Sequence, residues 1–203
     1  MKKYWLKFSF LLVLIASLSG CSYLPKIVFL QDPLTAEEHN NLGVAYESEG
    51  KYDLAISEYK KALDKDGSLK TTLVNIGNVY FKQKKYKDAE KYYLKALKKD
   101  EKNIEAANNL ASLYITLGEN YEMGLEYLSK AAPVESAPAY ALDTLGVLHF
   151  RLGDKEIAKD ILSKACEKAG DDKALLEEIE AHLKELGETG CANKPIAEPS
   201  SKL

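Results

Sequence analysis

Residues 70–103 read KTTLVNIGNVYFKQKKYKDAEKYYLKALKKDEKN, and this stretch decides the fold. It contains no proline and is rich in lysine, alanine and leucine, which favours helices over strands. Its small and aromatic residues form two sets at helical spacing, Ile76-Gly77-Tyr80 and Ala89-Tyr93-Ala96. Since residues three or four apart share a helix face, the stretch predicts two amphipathic helices joined by a short turn.

The same pattern recurs along the chain at intervals of 34 or 35 residues. The other first-helix sets are Leu42-Gly43-Tyr46, Leu110-Ala111-Tyr114 and Leu145-Gly146-His149. The other second-helix sets are Ala55-Tyr59-Ala62, Gly124-Leu128-Ala131 and Ala158-Leu162-Ala165. The small residues are predicted to let the paired helices cross closely. These sets define four repeats, at 36–69, 70–103, 104–138 and 139–172. The third repeat has an extra residue in its turn.

This pattern resembles the tetratricopeptide repeat (TPR), a helix–turn–helix unit of 34 residues. The resemblance implies an all-α solenoid of four helix–turn–helix repeats. Thr35 with Glu38 fits a capping box that opens the first repeat. Asp172 is predicted to be the N-cap of a capping helix at 173–188, which covers the last apolar face of the array. Residues 189–203 lack periodicity and are predicted to be a flexible tail.

The first residues have the pattern of a targeting segment. Three lysines precede an uncharged, mostly apolar run from Phe8 to Gly20, which is short for a membrane span. The string Leu18-Ser19-Gly20-Cys21 then resembles the lipobox of bacterial lipoproteins. That resemblance implies a signal peptide at 1–20, acyl chains on Cys21 and a lipidated N-terminus and tether at 21–35. The alternative is an ordinary secretory signal with an incidental cysteine.

A lipoprotein resemblance also implies a location. Multiple acyl chains hold a protein stably on a membrane. Ser22 follows the cysteine, and in the best-known Gram-negative cases serine at this place permits transfer to the outer membrane. We therefore expect the protein to be lipid-anchored on the outer membrane of a bacterium and to face the periplasm.

Charge and composition argue against several function classes. The net charge of −3 gives no reason to expect a nucleic-acid partner. Residues 82–102 are basic and 154–188 acidic, which indicates either solvated faces or a dipolar molecule that meets anionic lipid or an acidic partner. His39, His149 and His182 have no partner at catalytic or metal-ligand spacing and are interpreted as packing or surface residues. The chain is predicted not to be an enzyme, and no cofactor or metal is predicted.

Cys166 and Cys191 are the two remaining cysteines. Cys166 occupies a repeat position that faces the capping helix, and Cys191 lies just beyond that helix. In an oxidising periplasm the pair could form a disulfide that pins the tail over the cap. The alternative is one buried, inert cysteine and one exposed cysteine in the tail.

The resemblance to TPR proteins implies a binding groove, since first helices in that family line the concave face and commonly bind a partner's peptide or helix. Mapping those positions gives Asn41, Val44, Asn75, Asn78, Phe81, Asn109, Ser112, Ile115, Asp143, Val147, Phe150 and Arg151. Asn41, Asn75 and Asn109 recur one period apart, and their amides can pair with an extended backbone or hold the neighbouring repeat. The apolar members are expected to form an exposed contact patch.

The sequence thus predicts a membrane-anchored adaptor of the bacterial envelope, which binds envelope proteins that the sequence does not identify. The resemblance to small TPR lipoproteins implies one of two known roles. Some such proteins are pilotins of secretion or pilus channels, and others are scaffolds that recruit cell-wall hydrolases or proteases. The competing hypotheses are a self-associating structural lipoprotein, and an enzyme or solute-binding protein. The sequence leaves the oligomeric state open.

Overall fold

The computed structural model describes residues 32–191, and these residues form helices joined by turns, with no strand among them. The helices are α1 Ala36–Ser48, α2 Tyr52–Lys65, α3 Lys70–Lys82, α4 Tyr86–Lys99, α5 Ile104–Leu117, α6 Tyr121–Ala131, α7 Ala139–Leu152, α8 Lys155–Ala169 and α9 Lys173–Glu185. The prediction of an all-helical solenoid is confirmed. The predicted signal peptide, Cys21 and most of the tether lie outside the described residues, as does most of the predicted tail.

Local sequence signals begin and end the helices. Thr35 Oγ1 accepts a hydrogen bond from the Glu38 amide while the Glu38 carboxylate accepts one from the Thr35 amide, which is the capping box. Asp172 caps α9 by accepting from the Leu175 amide. Gly118 ends α5 in the left-handed region, at φ 73°. The extra residue of the third repeat lies in the following turn, where Asn120 also has a positive φ of 57°.

Three of the four repeat pairs pack closely because a glycine on the first helix receives a large side chain from the second. A Cβ atom at Gly43 would lie 2.5 Å from the Tyr59 ring, and one at Gly77 would lie 2.4 Å from the Tyr93 ring. In the third pair the small residues are Ala111 and Gly124, and a Cβ at Gly124 would lie 3.4 Å from Ala111 Cα. The glycine and tyrosine positions therefore set the crossing of α1 with α2 and of α3 with α4.

The helices form two layers. The first helices α1, α3, α5, α7 and then α9 contact one another in succession, and each second helix contacts the first helix that follows it. Within the described residues, successive second helices make no such contacts. Because the first helices lie closer together, their layer is the inner, concave one. The helix α9 extends this layer in the place that the first helix of a fifth repeat would take.

Candidate partner-binding groove

A pocket of about 270 Å³ opens on the layer of first helices. It is lined by Asn78, Phe81 and Lys82 from α3, Tyr93 from α4, and Asn109 and Ser112 from α5. Four of these six residues belong to the groove that the sequence predicts. The Phe81 ring packs edge-on against Tyr86, with ring centroids 5.6 Å apart. We call this the α3–α5 pocket.

Hydrogen bonds fix the amides of the α3–α5 pocket. Asn78 Oδ1 accepts from the Tyr93 hydroxyl at 2.9 Å and from Asn109 Nδ2 at 2.8 Å. Burial raises the pKa of Tyr93, so its hydroxyl stays a donor at physiological pH. Since the oxygen of Asn78 accepts both bonds, the two N–H donors of this amide are the groups that can bind a partner's carbonyl oxygens.

Charged groups lie one repeat toward the N-terminus of this pocket. Glu47 on α1 accepts a hydrogen bond from the Tyr59 hydroxyl at 2.7 Å and forms an ion pair with Lys82 at 2.7 Å. Burial and the bond to Glu47 raise the pKa of Tyr59. Lys82 therefore reaches from the edge of the pocket back to α1, which couples the first two repeats across the groove.

Two of the three recurring asparagines join neighbouring repeats. Asn75 Nδ2 donates to Asn40 Oδ1 at 3.3 Å, and Asn109 Nδ2 donates to Asn78 at 2.8 Å. Both bonds join one repeat to its neighbour, which is the alternative that the sequence left open. Asn41 is exposed, as is Val44 with 46% of its surface accessible. Ser112 and Ile115 on α5 are half-buried.

The predicted groove is wrong at two positions of the fourth repeat. Asp143 and Val147 are each only 4% exposed, so neither presents a surface to a partner. Asp143 is buried because it contacts the capping helix: His182 on α9 donates a hydrogen bond to the Asp143 carboxylate at 2.8 Å. Phe150 is half-buried, with the Arg151 guanidinium 5.5 Å from its ring centre, and Arg151 also pairs with Glu185 on α9 at 3.3 Å.

Histidine–carboxylate pairs are the feature that sequence reasoning missed. His39 is 1% exposed and its Nδ1 lies 2.7 Å from Glu58 Oε2, between α1 and α2. His182 pairs with Asp143, and the hydrogen bond to Asp143 raises its pKa although burial opposes this. The partners are 19 and 39 residues apart in sequence, so no local spacing could have revealed them.

Cys166 and Cys191 are joined by a disulfide in the structure, with their Cα atoms 5.6 Å apart. Cys166 lies on α8 and Cys191 follows α9, so the bond ties the chain beyond the capping helix back to the last repeat. Both residues are half-buried and pack against the apolar core. The capping helix is thereby fixed from one side by this bond and from the other by its contacts with α7.

Two comparisons by sequence bear on the family. Residues 36–68 and 71–103 match the family model of the tetratricopeptide repeat. These two segments of the chain are therefore similar to tetratricopeptide repeats. A search among curated proteins found no match. The two matched segments coincide with the first two helix pairs, and they contain the Gly43–Tyr59 and Gly77–Tyr93 contacts that set their packing.

Solved structures of TPR proteins have a similar fold. A thermophilic TPR protein from Thermus thermophilus superposes with a TM-score of 0.63 at 18% identity, over 75% of this chain and 84% of that one. YrrB, described as a TPR protein with an unusual peptide-binding site, superposes with a TM-score of 0.57 at 24% identity, over 74% and 77%. A TPR protein from Parabacteroides merdae superposes with a TM-score of 0.64 at 23% identity, over 77% of this chain and 61% of that one.

None of the helices between residues 32 and 191 is both long and apolar enough to cross a membrane. Cys21, the predicted site of lipidation, lies outside these residues.

Proposed function

We propose that this protein is a membrane-anchored adaptor of the bacterial envelope, which binds a segment of a partner protein in its groove. TPR folds are built to bind proteins, and the α3–α5 pocket carries this proposal because it combines an aromatic side chain with fixed amides. Apolar contact at Phe81 supplies affinity, while the amide of Asn78 orients a partner backbone. YrrB, a fold relative, has a peptide-binding site by its own description.

Binding rather than catalysis is supported by the chemistry of the pocket. Its lining consists of two asparagines, a serine, a tyrosine, a phenylalanine and a lysine. General acid–base catalysis near neutral pH relies most often on an imidazole or carboxylate, and this lining has neither. The tyrosine is Tyr93, whose raised pKa keeps it protonated and makes it a poor base. We therefore propose that the protein is not an enzyme.

The proposed occupant is an extended segment with an apolar side chain. Asn78 offers N–H donors but no free acceptor, since its oxygen is held by Tyr93 and Asn109. A partner that lies along the groove would place a backbone carbonyl at Asn78 and an apolar side chain against Phe81. The available groove runs over the first three repeats, because the capping helix and its contacts occupy the fourth.

Anchoring is the second part of the proposal and rests on the sequence Leu18-Ser19-Gly20-Cys21. Acylation of Cys21 would hold the repeat array at a membrane surface, with the groove reaching a partner in the periplasm. Pilotin-like assembly of a secretion or pilus channel and recruitment of a cell-wall hydrolase both fit this arrangement. Identification of the cross-linked partner separates the two roles.

The test is site-specific photo-crosslinking in intact cells. A photoreactive amino acid at position 112, beside the pocket, is expected to capture one partner species, whereas the same group at Leu54 on α2 is not. Phe81→Ala should abolish the product and Leu54→Ala, which removes an equally apolar but exposed side chain, should retain it. Equal capture by wild type and Phe81→Ala would overturn the groove assignment.

Two further variants control for misfolding. Ser112→Tyr fills the pocket without removing a core residue, so it should block capture from a photoreactive group placed at Asn41. Ser112→Ala removes only the hydroxyl and should retain most of the capture. Helical circular dichroism of each variant confirms that the array is intact. Cys21→Ser should release the protein from membranes, and unchanged fractionation would contradict the anchor without touching the groove.

A further inference from the structure

We propose that Asp143, Glu178 and His182 form a binding site for a Zn²⁺ ion that joins the capping helix to the last repeat. The site lies between α7 and α9, at the end of the solenoid and apart from the α3–α5 pocket. It does not depend on the proposed adaptor function. Neither the sequence pattern of the repeats nor the histidine spacing pointed to it.

The geometry of the three side chains carries the proposal. One ligand atom from each residue lies within 4.8 Å of the other two. Glu178 and His182 are four residues apart on α9, so both side chains project from the same face of that helix. Asp143 comes from α7 and is 4% exposed, so it is held in place by its surroundings. The set therefore has one fixed ligand and two that share a helix face.

The distances fit a single cation. His182 Nδ1 lies 2.8 Å from Asp143 Oδ1, and a proton now joins them. With metal–ligand bonds of about 2.0–2.2 Å, two donors on one Zn²⁺ ion lie roughly 3–3.5 Å apart. A Zn²⁺ ion could thus replace the shared proton with a small outward shift of the ring. Glu178 is exposed and can change rotamer to complete a three-ligand set.

The donor chemistry selects the class of metal. One imidazole nitrogen and two carboxylate oxygens suit Zn²⁺, which binds nitrogen and oxygen donors in a four-coordinate site. Water would take the fourth position. Mg²⁺ prefers an octahedral set of oxygens and keeps most of its water, so it fits this site poorly. Ion binding releases the proton that His182 donates to Asp143 and neutralises a pair of carboxylates at the interface.

Binding of the ion would attach the capping helix α9 more firmly to the last repeat. The disulfide ties the chain after α9 to α8, whereas the ion would tie α9 itself to α7. Because Asp143 lies on a helix of the groove layer, the ion would also stiffen the end of the groove. Any ligand that binds only the folded state raises its stability, so Zn²⁺ is expected to raise the melting temperature.

The experiment is calorimetric titration with ZnCl₂ of the full chain with Cys21→Ser as the common background, after treatment with EDTA and with the disulfide kept oxidised, since free thiols bind Zn²⁺. One equivalent is expected to bind in wild type, and MgCl₂ is expected to give no heat. Glu178→Gln and His182→Gln should each weaken binding by more than about tenfold. Glu177→Gln, an exposed neighbour on α9, and His149→Gln, which removes the other half-exposed histidine, should bind as wild type does.

A second readout excludes nonspecific heats. Co²⁺ bound in place of Zn²⁺ should give visible absorption bands of a low-coordinate site, and these bands should vanish in Glu178→Gln. Since Glu178 is exposed, this variant is expected to fold even if changes at His182 loosen the cap. Equal Zn²⁺ affinity in wild type and Glu178→Gln, or no binding by wild type, would overturn the proposal.

Discussion

The Tyr93 hydroxyl donates a hydrogen bond to Asn78 Oδ1 at 2.9 Å, from a ring that lies directly over Gly77. One side chain thus spans from the core between α3 and α4 to the α3–α5 pocket. The ring is 2% exposed, so its position is set by packing. The glycine that lets the helices cross closely therefore also determines where the amide of the pocket lies.

A methyl group at Gly77 tests this link. In Gly77→Ala the new Cβ would lie 2.4 Å from the Tyr93 ring, which has no room to move away. Overpacking of this kind costs typically about 1–3 kcal/mol. We expect the free energy of unfolding in urea to fall by that amount, and capture of the partner to weaken because Asn78 loses its fixed position.

Gly67→Ala is the matched control for this substitution. Gly67 lies in a turn, and the nearest atom to its new Cβ would be the Leu63 carbonyl oxygen at an ordinary 3.6 Å. Its unfolding free energy should stay within about 0.5 kcal/mol of wild type or rise slightly. Equal losses in the two variants would show that glycine flexibility, and not the contact with Tyr93, is responsible.

The hydroxyls of Tyr93 and Tyr59 occupy equivalent positions but have different acceptors, an amide at Asn78 and a carboxylate at Glu47. Tyr93→Phe should cost about 1 kcal/mol of stability, as loss of a neutral hydrogen bond does, whereas Tyr59→Phe should cost about 1.5–3 kcal/mol. Both rings remain in place, so packing is unchanged. Urea unfolding of the two variants measures the difference, and a larger loss in Tyr93→Phe would contradict the assignment of acceptors.

The sequence predicted the features that depend on neighbours three or four residues apart. The Thr35–Glu38 capping box and the Asp172 cap are of this kind, and so are the repeated glycine and tyrosine positions. It could not predict the pairs His39–Glu58 and His182–Asp143, because these depend on how two helices cross.

The groove shows the same limit. Of the positions mapped by period, Asn78, Phe81, Asn109 and Ser112 line one pocket, and partner binding there stays a prediction. The same mapping was wrong at Asp143, because the period says nothing about where a capping helix packs after the last repeat. Side-chain exposure there depends on α9, whose sequence is not a copy of the repeat.

The disulfide between Cys166 and Cys191 should respond to reductant. The bond closes a loop with a sequence separation of 25 residues. For a loop of this length the chain-entropy model gives about 3 kcal/mol of stabilisation. We expect a reductant to lower the unfolding free energy by about that amount, measured by urea titration with and without the reductant.

The double variant Cys166→Ser/Cys191→Ser is the control for reduction. It should have the stability of the reduced protein and show no further change when reductant is added. Thiol titration of the denatured protein without reductant gives an independent check. Two free thiols from residues 166 and 191 would show that the bond does not form in solution.

The pair of Glu58 with His39 predicts a loss of stability in acid. Burial opposes ionisation of Glu58, but hydrogen bonds from Lys61 at 2.7 Å and His39 at 2.7 Å outweigh it, so its pKa is lowered from 4.5. The unfolded chain therefore takes up this proton more readily than the fold does. The stabilisation is present above the unfolded pKa and is lost as pH falls through the folded value.

Glu58→Gln isolates this contribution. The variant keeps the size of the side chain but cannot ionise, so its stability should fall less than that of wild type between pH 6 and about pH 3. Melting temperatures at several pH values give the two slopes. Glu49→Gln, which alters an exposed carboxylate paired with Lys51 on the surface, should leave the slope close to that of wild type. Parallel curves for wild type and Glu58→Gln would show that the carboxylate beside His39 does not stabilise the first repeat.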